Sequence, residues 1–346
     1  MYRKTIILCC AFLLLGCSSD TAILGISGPD TTPSASPTGV TEKIELTKIG
    51  RRYEFGKSSF RSTAILSTGK MLAVGYDGED PRRIRISADG KTWATKVVSQ
   101  KQHGFPLSSI YFVDDRNGWI VSGTTVYRTI DGGESWTGYE FGGYLELGEL
   151  SFSDNRVGYL AGKRNIEGEI AGEIWRTIDG GQTWRKIYSS SERTTPFALC
   201  AVSKLTVVAV FGENNLVRTD DGGKTWQSVE EFAHQINQLV LDKNGKLWAV
   251  GAKGAVMYSS DSGSTWKEAS ICSEADCRGT NWKSIAFADA QQGFVVGSDG
   301  MFAATKDGGQ TWNIQPSNLS EDLLRIAVSN STGIITGSDN VFRLTF

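Results

Sequence analysis

The chain has 346 residues, 40 of them Gly and only 7 Pro, and its 36 Lys and Arg nearly balance 38 Asp and Glu, for a formal net charge of −2. A Gly excess without Pro implies repeated tight turns and excludes a collagen-like or low-complexity chain, while the even charge balance argues against a nucleic-acid binder. His103 and His234 are the only histidines, so neither a multi-His metal site nor a Ser-His-Asp triad is expected, and no metal or cofactor is.

Residues 1–16 read as an export signal: Arg3 and Lys4 precede an apolar run from Ile6 to Leu15. Ten helical residues span about 15 Å, half the hydrocarbon thickness, so the run is a signal core and not a membrane span. Leu14-Leu15-Gly16-Cys17 resembles the lipobox of bacterial lipoproteins. That resemblance implies cleavage before Cys17, acylation of its thiol and an exported chain tied to a membrane. In a Gram-negative cell Ser18 fits the outer membrane, with the protein on its periplasmic or surface side. The alternative is an ordinary secretory signal followed by a Cys. Residues 17–42 then turn Ser-, Thr-, Gly- and Pro-rich, as in Thr31 to Thr38, which reads as a flexible tether of roughly 25–30 Å mean span.

From residue 43 to 346 the chain repeats. The pattern [Ser/Thr]-x-Asp-x-Gly-x-[Ser/Thr]-Trp recurs six times, with Asp89 and Trp93, Asp131 and Trp136, Asp179 and Trp184, Asp221 and Trp226, Asp261 and Trp266, and Asp307 and Trp312; only the first copy is a residue short. Successive tryptophans lie 40 to 48 residues apart. A short apolar run ending in Gly recurs seven times, from Met71–Gly75 to Ile334–Gly337. Each unit reads as four strands, the Asp turn joining the third to the fourth, and no window has helical periodicity. Adjacent apolar pairs such as Val126 and Tyr127 project to opposite sheet faces, so both faces must be covered. The last unit supplies three strands, and Lys43–Ile49, which has no unit of its own, is the fourth. The expected fold is all-β: a seven-bladed β-propeller in which an N-terminal strand closes the last blade and removes the open edge.

Within each repeat the Asp can accept N–H groups across its own turn, Gly supplies the tight geometry, and Trp packs between sheets with its N–H satisfied. The aspartates sit on different blades and cannot meet as a catalytic pair, so their role is structural. These repeats resemble the Asp box, or bacterial neuraminidase repeat, of sialidases, xyloglucan-degrading enzymes and sortilin-type receptors. The longer pattern, Asp114-Asp115-Arg116-Asn117-Gly118-Trp119 or Asp289 to Gly297 followed by a strand and a box, resembles the photosystem II stability/assembly factor family over about residues 43–346. That resemblance implies a lumenal or periplasmic factor that binds proteins without catalysis.

Meander topology places the boxes on one side of the disc. An insertion at Lys163–Gly172 and a long connection at Ile271–Trp282 fall on the other, and loops on a rigid scaffold commonly carry function. Cys272 and Cys277, in an exported chain, are expected to form a disulfide; Cys200 reads as a buried free thiol. Arg128, Arg176 and Arg218 precede three boxes and Arg343 is their equivalent in the last unit. They are either ordinary strand ends or an arc that docks a carboxylate-bearing partner. The leading expectation is a monomeric, lipid-anchored envelope scaffold for a protein partner. The alternatives are a sialidase- or xyloglucanase-like glycoside hydrolase and a carbohydrate- or peptide-binding lipoprotein.

Overall fold

β-Branched and aromatic runs form strands here because each is flanked on both faces by another sheet. The second strands Gly118–Ser122, Val207–Phe211, Leu247–Gly251 and Gly293–Gly297 are buried along their whole length. Such continuous burial needs apolar side chains of both parities. The computed structural model describes residues 44–51, 59–76, 82–99, 105–142, 145–166, 168–190, 194, 196–212, 214–271 and 279–346. The expected Cys17 and the Cys272–Cys277 pair lie outside the described residues.

Seven four-stranded antiparallel sheets form the propeller. Blades 1 to 6 are sequential meanders that begin at Ser59, Leu107, Leu145, Pro196, Ile236 and Trp282. Blade 7 joins Leu323–Ser329, Thr332–Gly337 and Asn340–Thr345 to Glu45–Arg51 from the start of the propeller. Glu45 lies opposite Thr345 and Arg51 opposite Asn340. The first strands of successive blades touch in a closed circuit, blade 7 returning to blade 1. Two short 3-10 turns, Ala252–Gly254 and Ser298–Gly300, are the only helical pieces among the described residues, and no helix is long and apolar enough to cross a membrane.

The core is divided among the seven interfaces. One apolar cluster lies between each pair of neighbouring blades, for example Leu72, Ile84, Leu107 and Ile120 between blades 1 and 2, and Ile334, Val341, Phe60 and Met71 between blades 7 and 1. Each box tryptophan packs into the interface with the preceding blade. Blade 7 has no box, and there Phe346 lies against Phe294 of blade 6, ring centroids 4.5 Å apart, much as Trp312 lies against Trp248.

A propeller beginning at residue 52 should lose about 2–5 kcal/mol relative to one beginning at residue 44, the range for losing a buried aliphatic contact. The first strand covers the blade 7 edge, and Ile44, Leu46 and Ile49 pack on the flanking clusters. Urea melts check this; equal midpoints would mean that the strand does not close the ring.

Candidate functional site

The boxes are hydrogen-bonded turns. In blade 2 the backbone N–H groups of Glu134 and Ser135 donate to Asp131 Oδ1 at 3.0 and 2.9 Å, and the Ser135 hydroxyl donates to Oδ2 at 2.5 Å. The Thr129 hydroxyl donates to Oδ1 at 2.7 Å while its oxygen accepts the Gly133 N–H at 2.9 Å. Gly132 and Gly133 both have positive φ, +72° and +86°, and a Cβ on Gly132 would stand 2.7 Å from the Asp115 carbonyl. The same bonds recur around Asp179, Asp221 and Asp261, and most of them around Asp307 and Asp89.

Partial burial pushes the carboxyls of Asp131, Asp179 and Asp307 up, but the hydroxyl and N–H donors outweigh it and hold each at about 2. For Asp221 and Asp261 the Thr225 and Thr265 hydroxyl bonds lead, and for Asp89 the Thr92 N–H, and all three fall well below the ordinary carboxylate range. Trp136, Trp184 and Trp266 donate to a carbonyl within their own boxes, and Trp226 donates to Ile187 O. Trp312 departs from the expectation: its buried Nε1 has no acceptor. Its ring stands edge-on to Trp248 and Phe287, at 5.8 and 6.1 Å, and aromatic faces surround it in place of backbone.

The four arginines reach across to the next blade. Arg343 Nη1 donates to Asp89 O at 3.2 Å, Arg218 Nε to Ser262 O at 2.9 Å and Arg176 Nη2 to Lys204 O at 3.0 Å. Arg128 lies so close over the blade 3 box that a Cβ on Gly180 would be 2.9 Å from its Nη2. Where the series breaks, a lysine does this work: Lys246 Nζ, over the rings of Tyr258 and Trp248, donates to Gly308 O at 3.2 Å. Lys70 Nζ donates to Gly132 O at 2.7 Å. Cations thus clasp box turns of the following blade, and the sequence pattern alone did not reveal Lys70 or Lys246 in this role, because they come from a different hairpin.

On the opposite side, the insertion in blade 3 is an extended hairpin, Gly158–Ile166 with Glu169–Thr177. At its base Glu173, 1% exposed, accepts from Arg164 Nε at 3.0 Å, Lys186 Nζ at 2.9 Å and Trp175 Nε1 at 3.2 Å. Equivalent positions hold Arg83, Thr125 and Asn215, polar as well, so no sequence signal marked it. Cys200 is buried, and desolvation pushes its thiol up to about 12, which makes it an inert core residue.

The first strands surround a central channel of about 410 Å³. A β-bulge recurs in all seven of them at corresponding levels, as between Leu107 and Ser109, Ile236 and Gln238, and Leu323 and Arg325. Bulges re-aim side chains, and here the residues beside them meet at the channel. Among the described residues its wall carries one acid, Glu149 of blade 3, and one base, Arg325 of blade 7, paired at 3.3 Å. Neighbouring blades are tied at this level: Ile110 N donates to Ser62 Oγ, Ile285 N to Gln238 Oε1 and Ile326 N to Ser284 Oγ.

The fold defines the class, a seven-bladed β-propeller. A family model described as photosynthesis system II assembly factor YCF48 matches residues 230–301 and 278–345. The photosystem II assembly lipoprotein Ycf48 of Prochlorococcus marinus (strain MIT 9312) is 39% identical over 64 residues, which cover 17% of this chain and 18% of that protein. Among solved structures, YCF48 bound to a D1 peptide superposes with a TM-score of 0.64 at 18% identity, covering 87% of this chain and 94% of that one. YCF48 from Cyanidioschyzon merolae gives 0.61 at 15%, covering 87% and 98%. The Niastella koreensis GH74 enzyme gives 0.61 at 12%, covering 82% of this chain and 52% of that one. The chain is a propeller of BNR repeats that is similar to the photosystem II assembly factor family over residues 230–345.

Asp179→Ala should cost about 1–3 kcal/mol at neutral pH by stranding the turn donors. The box carboxyls titrate below their ordinary value of 3.8, so their stabilisation is complete above about pH 4 and is lost as pH falls through about 2. Urea melts from pH 6 to pH 2 should therefore show the variant and the parent converging in acid. Equal neutral-pH melting would contradict the structural role.

Proposed function

We propose that this chain is a non-catalytic, lipid-anchored propeller of the cell envelope. It holds an acidic or carboxylate-bearing segment of a protein partner on its Asp-box face and so aids assembly or stability of a membrane complex. The observation that carries the reading is a surface on blades 2 to 4. Ile130 and Ile178, 55% and 59% exposed, each stand one residue before a box aspartate, and Leu205 in the adjoining hairpin is 49% exposed. Half-buried Arg128 and Arg176 lie beside them. Large apolar side chains exposed in successive repeats mark an interaction face, and guanidinium groups suit a carboxylate on what binds there.

Three further points support the reading. A YCF48 of the same fold has been solved with a peptide bound. The Prochlorococcus relative is named a lipoprotein, in keeping with acylation of Cys17. Glu45, near the start of the described residues, pairs with Thr345 at the box end of blade 7, on the proposed binding side. A Cys272–Cys277 disulfide belongs to the same reading of an exported chain.

Two experiments test this. Ile130→Asp with Ile178→Asp alters exposed positions and should leave melting unchanged while reducing partner recovery in an envelope cross-linking pull-down at least tenfold, the equivalent of about 1.4 kcal/mol. Undiminished recovery would remove this face from consideration, and cleavage of a glycan panel with no partner recovered would replace the scaffold reading with a hydrolase. Separately, Cys17→Ser should abolish acyl labelling and move the protein from the membrane to the soluble fraction. Continued membrane retention without label would refute lipid anchoring.

A further inference from the structure

The channel wall is built by a symmetric scaffold but carries an asymmetric pair of charges. Arg325 stretches from blade 7 to Glu149 on blade 3, Nη2 to Oε1 at 3.3 Å, and its Nη1 reaches the Lys283 carbonyl at 3.3 Å. Both contacts are at the long end of the hydrogen-bond range, and they engage two of the five N–H donors that a guanidinium offers. The side chains are 30% and 37% exposed. A single, long, partly solvated ion pair of this kind contributes little to stability, so little opposes its opening.

The surroundings are those of a small binding site. Ser62 Oγ and Gln238 Oε1 accept backbone N–H groups, which leaves the Ser62 O–H and the Gln238 amide to donate into the channel they line. Apolar side chains line it too, and of these Val113, Val202, Val240 and Leu241 are only half-buried. The occupant's charge follows from the pair. An anion on Arg325 would stand beside the Glu149 carboxylate, and a cation on Glu149 beside the Arg325 guanidinium, so an occupant of one sign meets a like charge in the channel. Only a ligand bearing both signs replaces the bridge without loss.

We propose that the central channel binds a small zwitterion, an α-amino acid with an aliphatic side chain. Its carboxylate pairs with Arg325, its ammonium pairs with Glu149, and its side chain lies against the half-buried apolar lining. The site is separate from the Asp-box face and does not depend on its role.

The test is titration calorimetry on the intact chain with L-leucine, N-acetyl-L-leucine and L-leucinamide. L-Leucine should bind saturably, one per chain, and the two derivatives, which carry one charge each, at least tenfold more weakly, the equivalent of about 1.4 kcal/mol. Glu149→Gln and Arg325→Gln should each weaken L-leucine binding at least tenfold by the same measure while leaving thermal melting close to the parent's. No saturable binding up to about 10 mM, well beyond the 1 mM that corresponds to −4.1 kcal/mol, would overturn the proposal, as would equal affinity for the derivatives. If either variant misfolds, the derivative series on the parent chain still decides.

Discussion

No blade of this propeller owns a core. Each of the seven apolar clusters is shared between two sheets, so a blade is stable only while both neighbours are in place. An open ring would expose two large sheet faces to water, at about 25 cal/mol for each Å² of apolar surface. Closure therefore governs every other feature. It rests on Glu45–Arg51 completing the sheet of Asn340–Thr345, which joins the beginning of the propeller to its end by backbone hydrogen bonds.

The Asp box is best understood as part of that closure. Its aspartate and Thr or Ser organise a turn that two left-handed residues make possible, and its tryptophan enters the wedge shared with the previous blade. A cation from that previous blade then reaches the turn carbonyls: Lys70 to Gly132, Arg218 to Ser262, Lys246 to Gly308 and Arg343 to Asp89. The box is thus held from both directions. The same arginines that clasp the turns border Ile130 and Ile178, so ring stability and the proposed recognition surface share side chains.

Function in a symmetric scaffold is expected where the repeats differ, because a feature common to all blades is explained by folding. Here the differences are few and local. Among the described residues, blade 3 alone carries a long hairpin and the buried Glu173 ion cluster at its base. Blades 2 and 3 carry isoleucine before the box aspartate where the others have Ala88, Asp220, Ser260 and Lys306. Glu149 and Arg325 place opposite charges on facing walls of a channel lined, among the described residues, by otherwise neutral side chains. The seven bulges supply the common geometry that points such residues inward.

The repeat arithmetic made the architecture readable before any coordinate was known. Box spacing, the seven Gly-terminated runs and the unpaired Lys43–Ile49 segment depend only on local turn chemistry and strand periodicity, which sequence carries directly. Each box's own hydrogen bonds were legible for the same reason, since donor and acceptor lie within four residues of one another. What the chain order concealed were partners from different blades. Arg325 and Glu149 are 176 residues apart, Arg343 and Asp89 are 254, and Lys246 replaces an arginine from another hairpin. No local pattern encodes such meetings, because they exist only once the ring has closed and brought distant repeats to a common axis.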